Sequence, residues 1–278
     1  MKRYTFRALV YLGVIFFLVI ALFPISWVFI GSMHSTADLL KARVAFPPRN
    51  PTLEHYSALF RAQYGVKLFS RYIINSLKVG MGTAALTMMI AVLGAYGLSR
   101  YRFVGREILS RLMLFIYVFP QSLILVPAYV LLARLKLIDS HVGLILVHTG
   151  LAAPFCTWLV RSFFDAIPKE LEEAASVEGA NWFHVLFRII LPLAAPGVVT
   201  AGVYALVLSW GEYMFAVNFL MSGVKWTVPA GLATYMTEQA IEWGQLLAGT
   251  VLTAVPILLI FFPFARAFLR GFLEGALR

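Results

Sequence analysis

Pro168-Lys169-Glu170-Leu171-Glu172-Glu173-Ala174-Ala175-Ser176-Val177-Glu178-Gly179-Ala180-Asn181-Trp182 is a polar island in an apolar chain. It continues to Ile189-Ile190-Leu191-Pro192. Pro168 suits the first turn of a helix, where its missing N–H is not needed. Glu170, Glu172 and Glu173 follow where carboxylates favour the positive end of the helix dipole. Ala174 and Ala175 are the best helix formers. Gly179 is the expected stop, because glycine takes the left-handed conformation that ends helices. The stretch predicts a short surface helix over 168–178. A second is predicted from Asn181, a good N-cap, towards Ile190, with Pro192 interrupting before the next apolar run. Glu172, Ala175, Ser176 and Gly179 share one helical face, a strip of small residues that another surface could approach. Two interpretations stand on these residues alone: a solvated connector, or a docking element offered to a partner in water.

Outward from this stretch the chain reads as membrane. It has 278 residues, 61% hydrophobic and 13% charged, against roughly a quarter charged in soluble domains. Cys156 is the single cysteine, so neither a disulfide framework nor a cysteine-based metal site can form within one chain. The net charge is +10. In so apolar a chain, basic side chains read as topology signals at the membrane surface, not as a nucleic-acid patch.

Six apolar runs are long enough to span, at roughly 20 residues each. They cover 9–30, 75–98, 109–132, 142–164, 197–221 and 246–268. The first is too long for a cleaved signal peptide, and Lys2, Arg3 and Arg7 before it face the cytoplasm. The second is rich in Gly and Ala, which suits close helix packing in lipid. The third contains Pro120 and Pro127, which mark kinks. The fourth contains His148, read as a buried hydrogen-bonding residue. Residues 31–72, broken by Pro47, Pro48 and Pro51, form the one sizeable outer loop. A short helix begins there near Thr52-Leu53-Glu54, and His34 and His55 are expected at the surface. The fifth run carries Trp210-Gly211-Glu212-Tyr213, and a carboxylate within a span is a functional candidate by default. The competing account puts Glu212 near an interface or in a structural pair with a partner subunit. Lys225, Glu238 and Glu242 fall in the loop after the fifth run.

An even number of spans puts both termini in the cytoplasm. Arg100, Arg102, Arg106, Arg111, Arg161, Lys169, Arg188, Arg266, Arg270 and Arg278 then fall inside, against Arg134, Lys136 and Lys225 in the short outer turns. That imbalance follows the positive-inside rule and puts the polar stretch on the cytoplasmic side.

The polar stretch also resembles the EAA motif of binding-protein-dependent ABC transporter permeases. Glu173-Ala174-Ala175, Gly179 and Ile189-Ile190-Leu191-Pro192 keep its spacing. Ile74-Asn75-Ser76-Leu77, Ala95-Tyr96-Gly97-Leu98-Ser99-Arg100, Leu137-Ile138-Asp139-Ser140 and Trp210-x-Glu212-Tyr213 are similar to carbohydrate permeases of the maltose type, the shorter MalG-like partner above all. The resemblance covers most of the chain from Tyr72 onward. It departs at Gly211, where the family usually has Asn, and in the tail Leu273–Arg278.

The resemblance implies an all-α, six-span bundle of the type I ABC importer permease fold. The organisation would be an N-terminal helix and outer loop (1–71), a permease core (72–268) and a cytoplasmic tail (269–278). It implies a coupling helix that docks on an ATPase through Glu172, Glu173, Ala174, Ala175, Glu178 and Gly179. It implies a second permease subunit as heterodimer partner, an ATPase dimer, an extracytoplasmic solute-binding protein, and a sugar as solute. Trp210, Glu212 and Tyr213 are candidates for the substrate path: a ring stacks on a sugar face and a carboxylate accepts its hydroxyls.

The chain has no G-x-x-x-x-G-K-[ST] phosphate loop, no H-E-x-x-H zinc site and no G-x-S-x-G elbow. It is expected to be no enzyme and to bind no cofactor, with ATP and Mg held by the partner ATPase. An ion-driven secondary transporter remains as an alternative, but leaves the EAA stretch unexplained. A membrane-embedded enzyme would have only Glu212 and His148 to work with.

Overall fold

The structure is a computed structural model describing residues 2–41, 45–48, 50–61, 68–236 and 241–276. Among these residues every regular element is helical, apart from one isolated bridge between Met236 and Ile241. Among the described residues four helices are long and apolar enough to cross a membrane, and two bent pairs bring the number of spans to as many as six if each pair is one span. The chain divides into two compact units, Met1–Ser70 with Leu232–Pro256, and Arg71–Gly231 with Ile257–Arg278. Glu238 and Arg278 lie outside the described residues.

The first unit begins with α1 (Lys2–Gly31). From Leu9 to Ile30 none of its residues is buried within the protein, which suits a helix whose apolar surface meets lipid. α2 (Thr36–Leu40) is capped by Ser35, whose hydroxyl accepts the Asp38 N–H, and α3 (Glu54–Leu59) follows. His34 and His55 are buried, not at the surface as expected. His34 Nδ1 donates to the Ile30 carbonyl at 2.9 Å, and its Nε2 accepts the Ala45 N–H at 3.1 Å. His55 Nε2 donates to the His34 carbonyl at 2.9 Å. Both rings thus bond backbone groups at the end of α1 and in the segments after it, a need the sequence does not show. A Cβ on Gly244 would lie 2.0 Å from the His55 ring, so only glycine admits the ring there.

The second unit is built on α4 (Leu68–Arg100), most of which lies within it. α5 (Arg106–Val118) and α6 (Gln121–Arg134) replace the single third span expected over 109–132. They meet at 100°. Phe119 is extended (φ −65°, ψ 135°), as the residue before a proline tends to be, and Pro120 has no N–H to continue the helix. Pro127, by contrast, stays inside α6. α7 (His141–Asp165) starts at Ser140, whose hydroxyl accepts the Gly143 N–H.

α8 (Glu170–Val177) and α9 (Trp182–Val185) form the polar stretch. A π-helical turn, Leu186–Ile190, then leads into α10 (Leu191–Leu193). Pro192 therefore does not interrupt the chain as expected. The wider turn, with the Leu191 N–H reaching back to the Leu186 carbonyl, accommodates a residue with no N–H of its own. The break falls at Ala194, where the chain turns 81° into α11 (Ala195–Gly211). α11 stops ten residues earlier than the expected end at 221; after Glu212 and Tyr213 comes α12 (Met214–Phe219). α13 (Val228–Leu232) and α14 (Trp243–Ala276) complete the fold. α14 continues through most of the stretch expected as a tail.

Small side chains supply half of the main core cluster of the second unit. Ala91 and Ala95 of α4, Ala152 and Cys156 of α7, and Ala201 and Ala205 of α11 are fully buried in one cluster. In lipid the drive for helix association is close van der Waals contact, and small residues give it. A second cluster gathers Val79, Leu144, Phe215, Phe219 and Leu220. Beside it Asp139, with positive φ, ties the α6–α7 turn to the segment after α12. Its carboxylate accepts the N–H groups of Met221 and Ser222 (3.0 Å each), the Ser222 hydroxyl (2.6 Å) and Lys225 Nζ (2.7 Å). Lys225 foremost, then Ser222, hold this carboxyl well below the usual carboxylate range.

Candidate functional site

α8 is held at both ends by local chemistry. Its first turn carries Glu170, Glu172 and Glu173, and Glu172 and Glu173 give their N–H groups to the Lys169 carbonyl. At the far end Gly179 has φ +87°. Its N–H bonds the Ser176 carbonyl, and the Ala180 N–H bonds the Ala175 carbonyl, both at 3.0 Å. This pair of bonds is the Schellman stop, which needs a residue at ease with positive φ. Asn181 then opens α9 by accepting the His184 N–H at 2.8 Å. Ala175 and Ala180, the residues joined by the bond that spans five positions, both pack against the main core cluster.

The helix presents two different faces. Leu171, Glu173, Ala174, Val177, Glu178 and Gly179 are exposed, Val177 at 90%. Glu172 and Ala175 turn inward. The strip Glu172–Ala175–Ser176–Gly179 is therefore not a single open face: its first two members are turned towards the protein's own body. Trp182, Phe183 and Phe187 extend the exposed surface beyond α8, with Phe183 and Phe187 ring centroids 4.4 Å apart.

The inward face ends in an ion pair between Arg100, the last residue of α4, and Glu172, whose side chains are 8% and 14% exposed. Arg100 also donates to the Ser99 hydroxyl (2.8 Å) and to the Ile167 carbonyl (3.3 Å). Ser99 in turn donates to Asp165 at the end of α7. Asp165 accepts from Arg161 Nε at 3.3 Å, and Arg161 Nη2 reaches Glu107 in the first turn of α5 at 3.1 Å. Glu107, Arg161, Asp165, Ser99, Arg100 and Glu172 form one continuous polar chain joining α5, α7, α4 and α8. Sequence reasoning picked out Arg100 and Glu172 separately. It passed over Asp165, whose spacing of four from Arg161 on one helix was the available signal.

The other candidates lie near the break between α11 and α12. Trp210 is buried, Glu212 is half-buried with its side chain 8% exposed, and Tyr213 is 46% exposed. Glu212 Oε1 accepts the Phe215 N–H at 2.8 Å, and Oε2 accepts the Ala216 N–H at 3.1 Å. His148 Nε2 sits 3.2 Å from the same carboxylate, and His148 Nδ1 sits 2.8 Å from Ser209 Oγ. Ser209 donates onward to Thr83 at 3.3 Å. His148 and Glu212, far apart in sequence, are thus direct partners, and the Glu212 carboxylate is engaged by protein groups. A separate cavity of about 320 Å³ lies inside the α5–α6 bend, lined by Tyr117, Phe119, Gln121, Ile124, Leu132 and Val147 among others. Most of its wall is apolar. Among the described residues no cluster of His, Cys, Asp and Glu could hold a metal ion.

An all-helical membrane bundle that turns a polar helix out of its apolar body is the form of a transport permease. Residues 66–272 match the model of the family described as "Binding-protein-dependent transport system inner membrane component", and the chain belongs to that family. It is a multi-pass membrane permease, the inner-membrane component of a transport system that works with a binding protein. It is 35% identical over 261 residues to the sulfoquinovosyl glycerol transport system permease protein SmoH of Agrobacterium fabrum, covering 94% of this chain and 90% of that one. It is 30% identical over 275 residues to the diacetylchitobiose uptake system permease protein NgcG of Streptomyces coelicolor, covering 98% and 89%. Its fold is that of a chain in the crystal structure of a bacterial ABC transporter involved in alginate import, with TM-score 0.78, 23% identity and 96% of both chains covered. The fold class expected from the sequence is thus the one observed.

Proposed function

We propose that this chain is one of two permease subunits of an ATP-driven importer for a sugar or a sugar-like solute in a prokaryotic inner membrane. A second permease completes the pathway, a solute-binding protein delivers the solute outside, and a separate pair of ATPase subunits binds ATP and Mg. Both termini and α8 lie in the cytoplasm. α8 docks on the ATPase through Glu173, Ala174, Glu178 and Gly179, with Glu172 and Ala175 fixing it to the permease body. Of the substrate-path candidates, Tyr213 offers an exposed ring, while Trp210 and Glu212 shape the break that presents it.

The observation that carries this reading is the EAA spacing falling on a self-capped helix with an exposed face. The names of the related permeases SmoH and NgcG support a glycan-like solute. The test is a mild-detergent pull-down from the native membrane. A second permease and an ATPase with a phosphate loop are the expected companions. A homo-oligomer without an ATPase would overturn the reading. For the solute, uptake of labelled sulfoquinovosyl glycerol and diacetylchitobiose by membrane vesicles, each with the binding protein present, is the first comparison to make.

A further inference from the structure

The two neighbouring carboxylates at the start of the motif lie on different faces of α8, and only Glu173 is open to a partner. Glu173 is exposed. Glu172 is turned inward onto Arg100. From this division we infer that Arg100 and Glu172 are positioning residues that make α8 one mechanical body with the ends of α4 and α7. The inference rests on the coupling role proposed above and adds the route by which motion of α8 reaches the membrane.

The geometry of Arg100 carries the argument. A guanidinium presents several donors in a fixed plane. Here Nε faces Glu172, Nη1 donates to Ser99 and Nη2 donates to the Ile167 carbonyl. One side chain therefore spans α4, the end of α7 and α8. The Ser99–Asp165 bond makes a second, parallel tie between α4 and α7. Arg161 prolongs the chain to α5 through Glu107. A buried ion pair adds little net stability over an apolar contact of the same shape. What it adds is a fixed direction and distance, because each charge is poorly tolerated without the other. A helix of eight residues cannot pass on a push through its short loops alone. Tied at Glu172 and packed at Ala175, it moves only if α4 and α7 move with it.

The test separates docking from transmission. The complex is purified with its ATPase from membranes carrying a Val142→Cys reporter in a Cys156→Ala background. Val142 is exposed in the first turn of α7, at the end opposite Asp165. The reporter carries a fluorophore, and the probe is Mg-ATP with vanadate. Glu172→Gln is expected to retain the ATPase while the ATP-dependent signal at position 142 falls about fivefold or more, the lower end of usual coupling strengths. Arg100→Gln is expected to do the same, and Arg100→Lys to recover part of the signal. Glu173→Gln is expected to lower ATPase retention but leave the signal per bound ATPase unchanged. A full signal from Glu172→Gln with the ATPase bound would overturn the inference. So would loss of the ATPase from Glu172→Gln, which would put that carboxylate on the docking face. A parent complex that retains no ATPase would instead overturn the coupling reading beneath it. If Arg100→Gln does not reach the membrane, Glu172→Gln, which keeps the side chain's size, decides the question.

Discussion

His148 Nε2 lies 3.2 Å from Glu212 Oε2, with both side chains buried. The same carboxylate takes the N–H groups of Phe215 and Ala216, two of the donors a helix start leaves without partners. Glu212 thereby fixes where α11 ends and how α12 leaves it. Glu212→Ala should lower stability by about 1–3 kcal/mol, the usual cost of leaving buried donors without their acceptor. Glu212→Gln keeps one acceptor oxygen and should cost less. Thermal unfolding in detergent, followed by size-exclusion fluorescence, measures both. An Ala variant as stable as the parent would mean that the carboxylate does not hold the break.

Gly179 offers a cleaner separation of strain from docking. A Cβ added there would meet no atom of this chain within 4 Å, so the cost of Gly179→Ala within the chain comes from the positive φ alone. That cost is about 1–2 kcal/mol, and Asn, which visits the left-handed region more readily, should cost less. A bulky replacement such as Gly179→Leu should reach the membrane yet abolish transport. If close approach of the ATPase is the reason for glycine, Gly179→Asn should fold well and still lose ATPase retention. Normal transport by the Leu variant would remove Gly179 from the docking face.

How much of this was legible follows the range of the forces. The stop and second cap of the polar stretch depend on residues within a turn of one another, and Gly179 and Asn181 announced them, while the helix begins at Glu170, two residues after the start expected at Pro168. The direction of Glu172 depends on Arg100, 72 positions earlier in the sequence, and no local pattern contains that. The same holds for Glu212 and His148, whose partnership only the packing of α7 beside α11 creates. His34 and His55 misled because polar side chains are usually exposed, yet here they satisfy backbone groups in a loop. Pro120 and Pro192 show that a proline alone does not place a break. The chain bends sharply at the first and passes the second in a π turn.

Asp139 sets a pH dependence with a definite sign. Its folded pKa is depressed, first by Lys225 and then by Ser222, below the ordinary value of about 3.9. A depressed carboxylate contributes stability that is fully present above the unfolded value and fades as pH falls through the folded one. Asp139→Asn keeps the positive φ accessible but loses the charge opposite Lys225. The stability gap between parent and variant should be constant from neutral pH down to about 5. It should narrow as the medium is acidified below the ordinary carboxylate range. Thermal unfolding of the two proteins across that range checks it, and a gap that widened on acidification would refute the assignment.

Glycines that look alike in the sequence differ in what surrounds them, and this gives the last prediction. Beyond its own turn of helix, Gly97 of α4 has no atom within 4 Å of a built Cβ, whereas a Cβ at Gly197 of α11 would lie 2.3 Å from the Phe163 ring of α7. Gly97→Ala should therefore stabilise, by up to about 1 kcal/mol of helix propensity. Gly197→Ala gains the same propensity but must displace an aromatic ring between two packed spans, and overpacking of this kind costs about 1–3 kcal/mol. The two variants should shift the unfolding temperature in opposite directions. Equal shifts would mean that α7 and α11 are not in the close contact that a chain of small residues in lipid is built to make.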